Sequence, residues 1–401
     1  MYFIIKKILI TTILALTLFA CAHPLVTKPE DALERVSWSS AALLNDDQDF
    51  RGIAAALRQS LEYYKKLPPD ASFPLGPDRA LAMDMTLTLQ NFLLIVENAS
   101  LTSAQKVERI KETFVLYRSI GAGGTGKVLF TGYYEPMLSC RPLADETYKH
   151  PLYKRPDDIV EIDLSLFNDN LPKNKIFGRL DETRDRKRVI PYYSREEIDH
   201  KQALANRDME ILWCNDPAGI FFLQVQGSGK ADLGDGNIVS VLYDGQNGRP
   251  YKSIGKALID SNAMAKETMS MQAIREYLKS HPDDLFSILN QNPSYVFFRL
   301  DMGPSLGNIS VPLTPGRSIA TDAKLFPKGA LALIATNKPV IENGAIREWA
   351  PFTRFVMNQD TGGAIRGAGR ADLFCGQGAE AELTAGYMRQ EGELYFLVWK
   401  K

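Results

Sequence analysis

Two aspartates near the C-terminus, Asp360 and Asp372, stand 12 positions apart around the stretch Asp360-Thr361-Gly362-Gly363-Ala364-Ile365-Arg366-Gly367. Asp372 stands between Ala371 and Leu373, and the apolar run Phe355-Val356-Met357 lies a few residues before Asp360. A carboxyl pressed against apolar surface is disfavoured in its charged form, so its pKa rises and it can deliver a proton near neutral pH. The chemistry these residues point to is general acid catalysis. Gly362 and Gly363 between them would let the backbone approach a bulky reactant.

Other chemistries find little support. The charges nearly cancel, with 47 Lys+Arg against 48 Asp+Glu in 401 residues, so no polyanion is favoured as a partner and nucleic acid is not expected. The four histidines are scattered, none beside a cysteine, and there is no C-x-x-C; no metal and no other cofactor is expected. Gly121-Ala122-Gly123-Gly124-Thr125-Gly126-Lys127 has phosphate-loop spacing, but Val128 stands where a magnesium-holding Ser or Thr is needed, and a flexible interdomain turn is the expected reading. Gln226-Gly227-Ser228-Gly229 lacks the first glycine of a nucleophile elbow.

The N-terminus reads as a targeting segment. Lys6 and Lys7 precede an apolar run from Ile8 to Ala20, the length of a signal-peptide core. Leu18-Phe19-Ala20-Cys21 resembles a bacterial lipobox, although Phe19 is bulky for its place; an ordinary signal peptide with Cys21 incidental is the alternative. Lipidation of Cys21 would anchor the chain, since stable anchoring takes more than one acyl chain. Ala22 rather than aspartate after Cys21 points, in a Gram-negative cell, to the periplasmic face of the outer membrane. Of the remaining cysteines, Cys140 and Cys214 can bridge only if their Cα atoms lie close.

These aspartates need a scaffold, and the texture of the chain suggests one. Residues 1–20 form the signal peptide and 21–36 a tether. From Trp38 to Gly121 the pattern is helical, with Leu81, Met85, Leu89, Phe92 and Val96 on one stripe and Val107, Ile110, Phe114 and Tyr117 on another, the second helix capped by Ser103. From 127 to 255, short apolar runs split by turn residues suggest strands, among them Val128–Tyr134 and Gly219–Gln226. The polar segment 157–200 reads as long loops. Helices are expected over Ser253–Asp260 and Ser270–His281, then strands from Tyr295 to Trp399. The fold class is mainly β with α.

Several segments together resemble the membrane-bound lytic murein transglycosylase A family of bacterial cell-wall enzymes. They are Thr131-Gly132-Tyr133-Tyr134-Glu135-Pro136, Val225-Gln226-Gly227-Ser228-Gly229, Tyr251-Lys252-Ser253-Ile254-Gly255-Lys256, Met269–Arg275 and Asn292–Phe298. The C-terminal part resembles the domain named for three aspartates, here Asp322, Asp360 and Asp372. The resemblance implies a double-psi β-barrel with a smaller β-barrel inserted into it. Residues 37–139 would hold the helical region and the first strands, 140–260 the inserted barrel, and 261–401 the helices and strands completing the main domain. A groove between the barrels would hold a peptidoglycan strand.

The family reaction cleaves the β-1,4 bond between N-acetylmuramic acid and N-acetylglucosamine and leaves a 1,6-anhydro end. Asp372 matches the acid, which would then serve as base. Asp360 either caps the glycine turn or orients Asp372, and Asp322 reads as structural. Candidate substrate contacts are Thr131, Glu135, Gln226, Gly227, Ser228, Asp322, Gly362 and Gly363, with Tyr133, Tyr134 and Tyr251 as sugar platforms or core. Arg366 and Lys252 would meet lactyl or peptide carboxylates, or else stay solvated. Partners implied are glycan strands, the outer membrane through the lipid anchor, and other cell-wall enzymes. A hydrolytic muramidase pairing Asp372 with Asp360 or Glu135, and a non-catalytic glycan-binding lipoprotein, are the competing readings.

Overall fold

A computed structural model describes residues 26–41, 45–168, 170–172, 174–181 and 187–400; the expected signal peptide and Cys21 lie outside the described residues. The centre is a closed barrel of six strands: β1 (Val128–Glu135), β2 (Ser318–Ala320), β3 (Leu331–Glu342), β4 (Ala345–Asp360), β5 (Arg370–Gln377) and β6 (Arg389–Trp399). Around the barrel the order is β1, β6, β3, β4, β2, β5 and back to β1. β3 and β4 form a long hairpin turned at Asn343-Gly344, both with positive φ, the backbone that a two-residue turn matching strand twist requires. The barrel-facing end of β4 is buried from Phe352 to Gln359, while its outer end runs exposed into solvent.

Helices Ile53–Tyr64, Ala82–Glu97 and Ser103–Thr113 pack on this barrel through one apolar core. Phe92 is its pivot, edge-on to Phe355 of β4 at 5.0 Å and to Phe114 at 5.7 Å. The cap of the third helix is Thr102 rather than Ser103: its hydroxyl accepts from Gln105 N, and Gln105 Oε1 accepts from Thr102 N at 2.8 Å. That helix stops at Thr113. Phe114–Ser119, expected to continue the helical stripe, is a strand on the open edge of β6, and Leu33–Val36, expected in the tether, pairs with it in turn. The run Phe114-Val115-Leu116-Tyr117 combines aromatic and β-branched residues, and a free strand edge outweighs their helical spacing. The turn 121–127 therefore joins two strands of the main unit, not two domains.

The inserted unit is built on a six-stranded sheet in the order Val296–Asp301, Ile238–Gln246, Gly229–Asp232, Met137–Arg141, Glu210–Cys214, His150–Tyr153. It takes in Val296–Asp301, beyond the expected span of 140–260. Cys140 and Cys214 face each other in register and form a disulfide, with Cα atoms 4.0 Å apart. The segment expected as loops holds a three-stranded sheet, Val160–Asp163, Lys175–Asp181 and Arg188–Pro191. Gly219–Gln226, expected as a strand, lies in the helix Pro217–Gln226. Pro217 opens it and Gly227, at φ +86°, closes it; the helix is apolar nearly all round because Ile220 and Leu223 enter the core of the inserted sheet and Phe221 and Phe222 pack on the helices between residues 254 and 289.

The N-terminal region is fastened to the barrel by a buried ion pair. Arg317, next to β2, donates to both carboxylate oxygens of Asp46 at 2.6 and 2.8 Å, and to the carbonyls of Arg51 and Phe355. Asp46 also accepts from the backbone N–H groups of Phe50 and Phe355. Removing one partner strands the other charge in the core. Arg317→Met should therefore lower unfolding free energy by about 3–5 kcal/mol in urea titrations, and a loss under 1 kcal/mol would refute the fastening role.

Candidate active site

Strand register alone gathers the candidate residues. Asp360 on β4 pairs with Ala320 on β2, Ala320 with Asp372 on β5, Asp372 with Thr131 on β1, and Thr131 with Arg389 on β6. One row crossing five strands thus carries both aspartates. Arg370, two residues before Asp372 and so on its face of the strand, donates to Thr131 Oγ1 at 3.1 Å.

The aspartates differ in what touches them. Asp372 Oδ1 is buried with no hydrogen-bond partner among the described residues; the cation beside it, Arg370 Nη2, is 3.8 Å away, beyond hydrogen-bonding reach. Burial pushes its pKa up to about 6; Asp360 adds to the rise and Arg370 works against it. The side chain stays 18% exposed, so a reactant can reach it. Asp360 has three donors: Tyr133 Oη at 2.9 Å on Oδ2, and the N–H groups of Asn308 (3.0 Å) and Thr361 (2.9 Å) on Oδ1. Burial raises its pKa too, and those three bonds oppose the rise. Asp322 is structural in form, accepting from Lys324 N and Gly367 N and thereby pinning the far end of the glycine loop.

The other candidates separate. Tyr133 is no free platform: its hydroxyl is held by Asp360 and its ring packs on Phe374 at 5.2 Å. Tyr134 is buried, and its N–H donates to Gln226 Oε1 across the junction of the two units. Glu135 accepts from Gln377 and keeps its other oxygen buried without a partner. Gly227 ends a helix and Ser228 follows it, while Gly229 packs so closely that a Cβ would sit 2.6 Å from Pro136 O. Tyr251 and Lys252 are exposed, Lys252 N donating to Asn292 Oδ1 at 3.1 Å. Arg366 is exposed, 4.0 Å from Asp322, and Gly362 and Gly363 stay accessible in the loop.

Between the units lies a cavity of about 400 Å³, bounded by Gln226 and Phe222 of the inserted helix, Met269, Met271 and Lys256, and Arg389 of β6. Three residues of this region were not singled out from the sequence. Arg370 had a local signal, the i, i+2 spacing to Asp372 on a strand. Asn308 and Arg195 had none. Arg195 is buried and donates to the carbonyls of Asn292 and Ser294 and to Gln224, with its guanidinium over the Phe221 ring at 4.7 Å.

Comparison with known proteins fits this layout. Residues 129–299 match the family model of the MltA specific insert domain, and residues 317–398 match that of the 3D domain. The chain is 34% identical over 280 residues to membrane-bound lytic murein transglycosylase A of Escherichia coli K12, an alignment covering 69% of this chain and 67% of that one. The chain belongs to the membrane-bound lytic murein transglycosylase A family. The family protein of Vibrio cholerae is 30% identical over 283 residues, 70% of this chain and 67% of its own. Among solved family structures, the Agrobacterium tumefaciens membrane-bound lytic murein transglycosylase superposes with a TM-score of 0.74 at 28% identity, covering 92% of this chain and 98% of that one. Escherichia coli MltA with bound chitohexaose gives 0.68 at 26%, covering 94% and 97%. As in the family, the architecture is mainly β around a closed six-stranded barrel.

The raised pKa of Asp372 has a cost in stability. The folded protein disfavours the ionised form, so the stability linked to this group is complete below its unfolded value near 4 and is lost as pH rises through about 6. Asp372→Asn should thus stabilise the protein by about 3 kcal/mol at pH 8, fading as pH falls toward 4. Thermal melts of both proteins across that range check it, and a gain that does not depend on pH would refute the assignment.

Proposed function

We propose that this chain is a peptidoglycan lytic transglycosylase in which Asp372 acts first as acid and then as base. As a member of its family it acts on murein; the finer mechanism rests on a single observation, the buried and unpartnered Oδ1 of Asp372 beside accessible space. Protonated, Asp372 gives its proton to the glycosidic oxygen as the bond to C1 of N-acetylmuramic acid breaks, releasing N-acetylglucosamine with a free O4 hydroxyl. The oxocarbenium-like C1 is then attacked by the C6 oxygen of the same sugar, and Asp372, now ionised, takes the C6 hydroxyl proton. One bond breaks, one forms, the proton returns, and no water enters. Attack within one sugar carries an effective molarity of about 10⁵ M or more when the ring is held in the attacking shape, enough to outrun water.

A hydrolase would need a second working carboxyl. Asp360 has both oxygens engaged by three donors, which suits a residue that fixes Tyr133 and the glycine loop around the acid. Glu135 lies four residues from Thr131 along β1, about 13 Å of strand rise from the level of Asp372, with one oxygen bonded by Gln377 and the other buried. Arg370 stands close enough to steady Asp372 once it has lost its proton. Lipidation at Cys21 and residence on the periplasmic face of the outer membrane complete the reading; among the described residues no helix is long and apolar enough to cross a membrane.

Digestion of purified peptidoglycan followed by product masses is the test. Products one water lighter than hydrolytic fragments are expected from the wild type, and Asp372→Asn should lose at least a hundredfold in rate. Because the acid must be protonated, kcat/KM should fall about tenfold per pH unit above about 6. Hydrated products would exclude the transglycosylase mechanism, and full activity in Asp372→Asn would remove that residue from the acid role.

A further inference from the structure

We infer that the cavity between the two units is the seat of the acidic peptide substituent carried by the muramoyl sugar, with Arg389 as its charged anchor. This rests on the reaction proposed above. In that reaction the sugar beside Asp372 must be N-acetylmuramic acid, because its own C6 hydroxyl makes the attack. Its lactyl-linked peptide must therefore leave the groove close to the acid. Arg389 is in the Asp372 row, two strands across, so its Cα lies about 10 Å from that of Asp372. In-register neighbours project to the same side of a sheet, so Arg389, like Asp372, points outward from the barrel, and Ala385 of the cavity wall packs on Gly132, next to Thr131 of that row.

The lining suits a short acidic peptide better than another sugar. Arg389 is exposed at the cavity and makes no ion pair or side-chain hydrogen bond among the described residues, so its charge is free for a ligand. The second cation on the wall, Lys256, is already held by Asp260 at 2.6 Å. Met269, Met271 and Phe222 supply a pliable apolar wall of the kind that accepts alanyl methyls, and Gln226 offers an amide for a peptide bond. No aromatic residue is positioned as an open platform at the cavity: Phe222 is 5% exposed and packs edge-on to Phe221. The two cations expected from sequence to meet peptide carboxylates are placed otherwise, Arg366 beside Asp322 and Lys252 outside the cavity lining.

Binding is measured with Asp372→Asn, which suppresses cleavage, using glycan strands with intact peptides and the same strands stripped by an amidase. The stem-bearing strands should bind about tenfold tighter, the scale of one charge-assisted contact. Adding Arg389→Met should abolish the difference, and adding Arg389→Lys should keep most of it. Equal affinity for the stripped strands, whose lactyl carboxylate is then free, would overturn the proposal, as would a preference that survives Arg389→Met. Failure of the transglycosylase chemistry would appear separately, as hydrolytic products from the wild type, because binding is read in a variant that does not cleave.

Discussion

The structure depends on the closure of the barrel by β1. This strand pairs in parallel with β5 on one side and antiparallel with β6 on the other, so the ring has no gap at the site. Closure removes the edge that would otherwise let strands slip, and a slip of one residue would turn every site side chain inward. The row from Asp360 to Arg389 is a direct product of that fixed register. β1 also launches the insertion, since Pro136 follows it and its carbonyl accepts from Lys230 N at 2.8 Å. Gly132, in mid-strand, is where the helix Ala379–Tyr387 crosses: a Cβ there would meet Ala385 Cα at 2.8 Å.

Three aspartates of one domain take three different states because their surroundings differ. Asp322 is saturated by backbone donors of its own turn and of the glycine loop. Asp360 is saturated by donors from three separate segments, Tyr133, Asn308 and Thr361, so it ties β1 and the 308 region to the end of β4. Asp372 receives none on its buried oxygen. An unmatched polar atom in a core is destabilising, and it persists where the surrounding structure is over-determined. Here the fully matched Arg317–Asp46 pair and the barrel ladder supply that surplus.

Much of the site was legible because its chemistry is local. The spacing of the three aspartates, the glycine loop and the helix starts at Ser253 and Ser270 are short-range patterns; in the structure both serines are N-caps that accept from the N3 amides, Lys256 N and Ala273 N. What misled was context. Gly219–Gln226 is apolar on all sides, and a run without periodicity is equally a buried strand or a buried helix; only Pro217 and Gly227 distinguish them. Phe114 and Tyr117 fit a helical stripe but belong to a strand, because the deciding partner, β6, lies more than 270 residues away. Arg195 sat in a polar stretch with nothing local to mark it, and its partners at 224, 292 and 294 are brought in by the fold.

The one-carboxyl mechanism proposed above would shift the burden from chemistry to positioning, and the joints between the units suit such a demand. Without a second carboxyl to activate water or form a covalent intermediate, the outcome of that mechanism would depend on holding one sugar in the shape from which its own hydroxyl attacks. That requires the two walls of the groove to keep their spacing. Three kinds of tie do so here. The Tyr134 N–H to Gln226 bond links the end of β1 to the inserted helix. Arg275 sits between Asp216 of the insertion at 3.8 Å and Glu382 of the barrel helix at 3.6 Å. Arg195 fixes the inserted helix to the segment that returns toward the barrel. Ties of fixed geometry on both sides of the groove would preorganise a strand for that mechanism, whereas a hinged cleft would admit the same strand but leave C1 open to water.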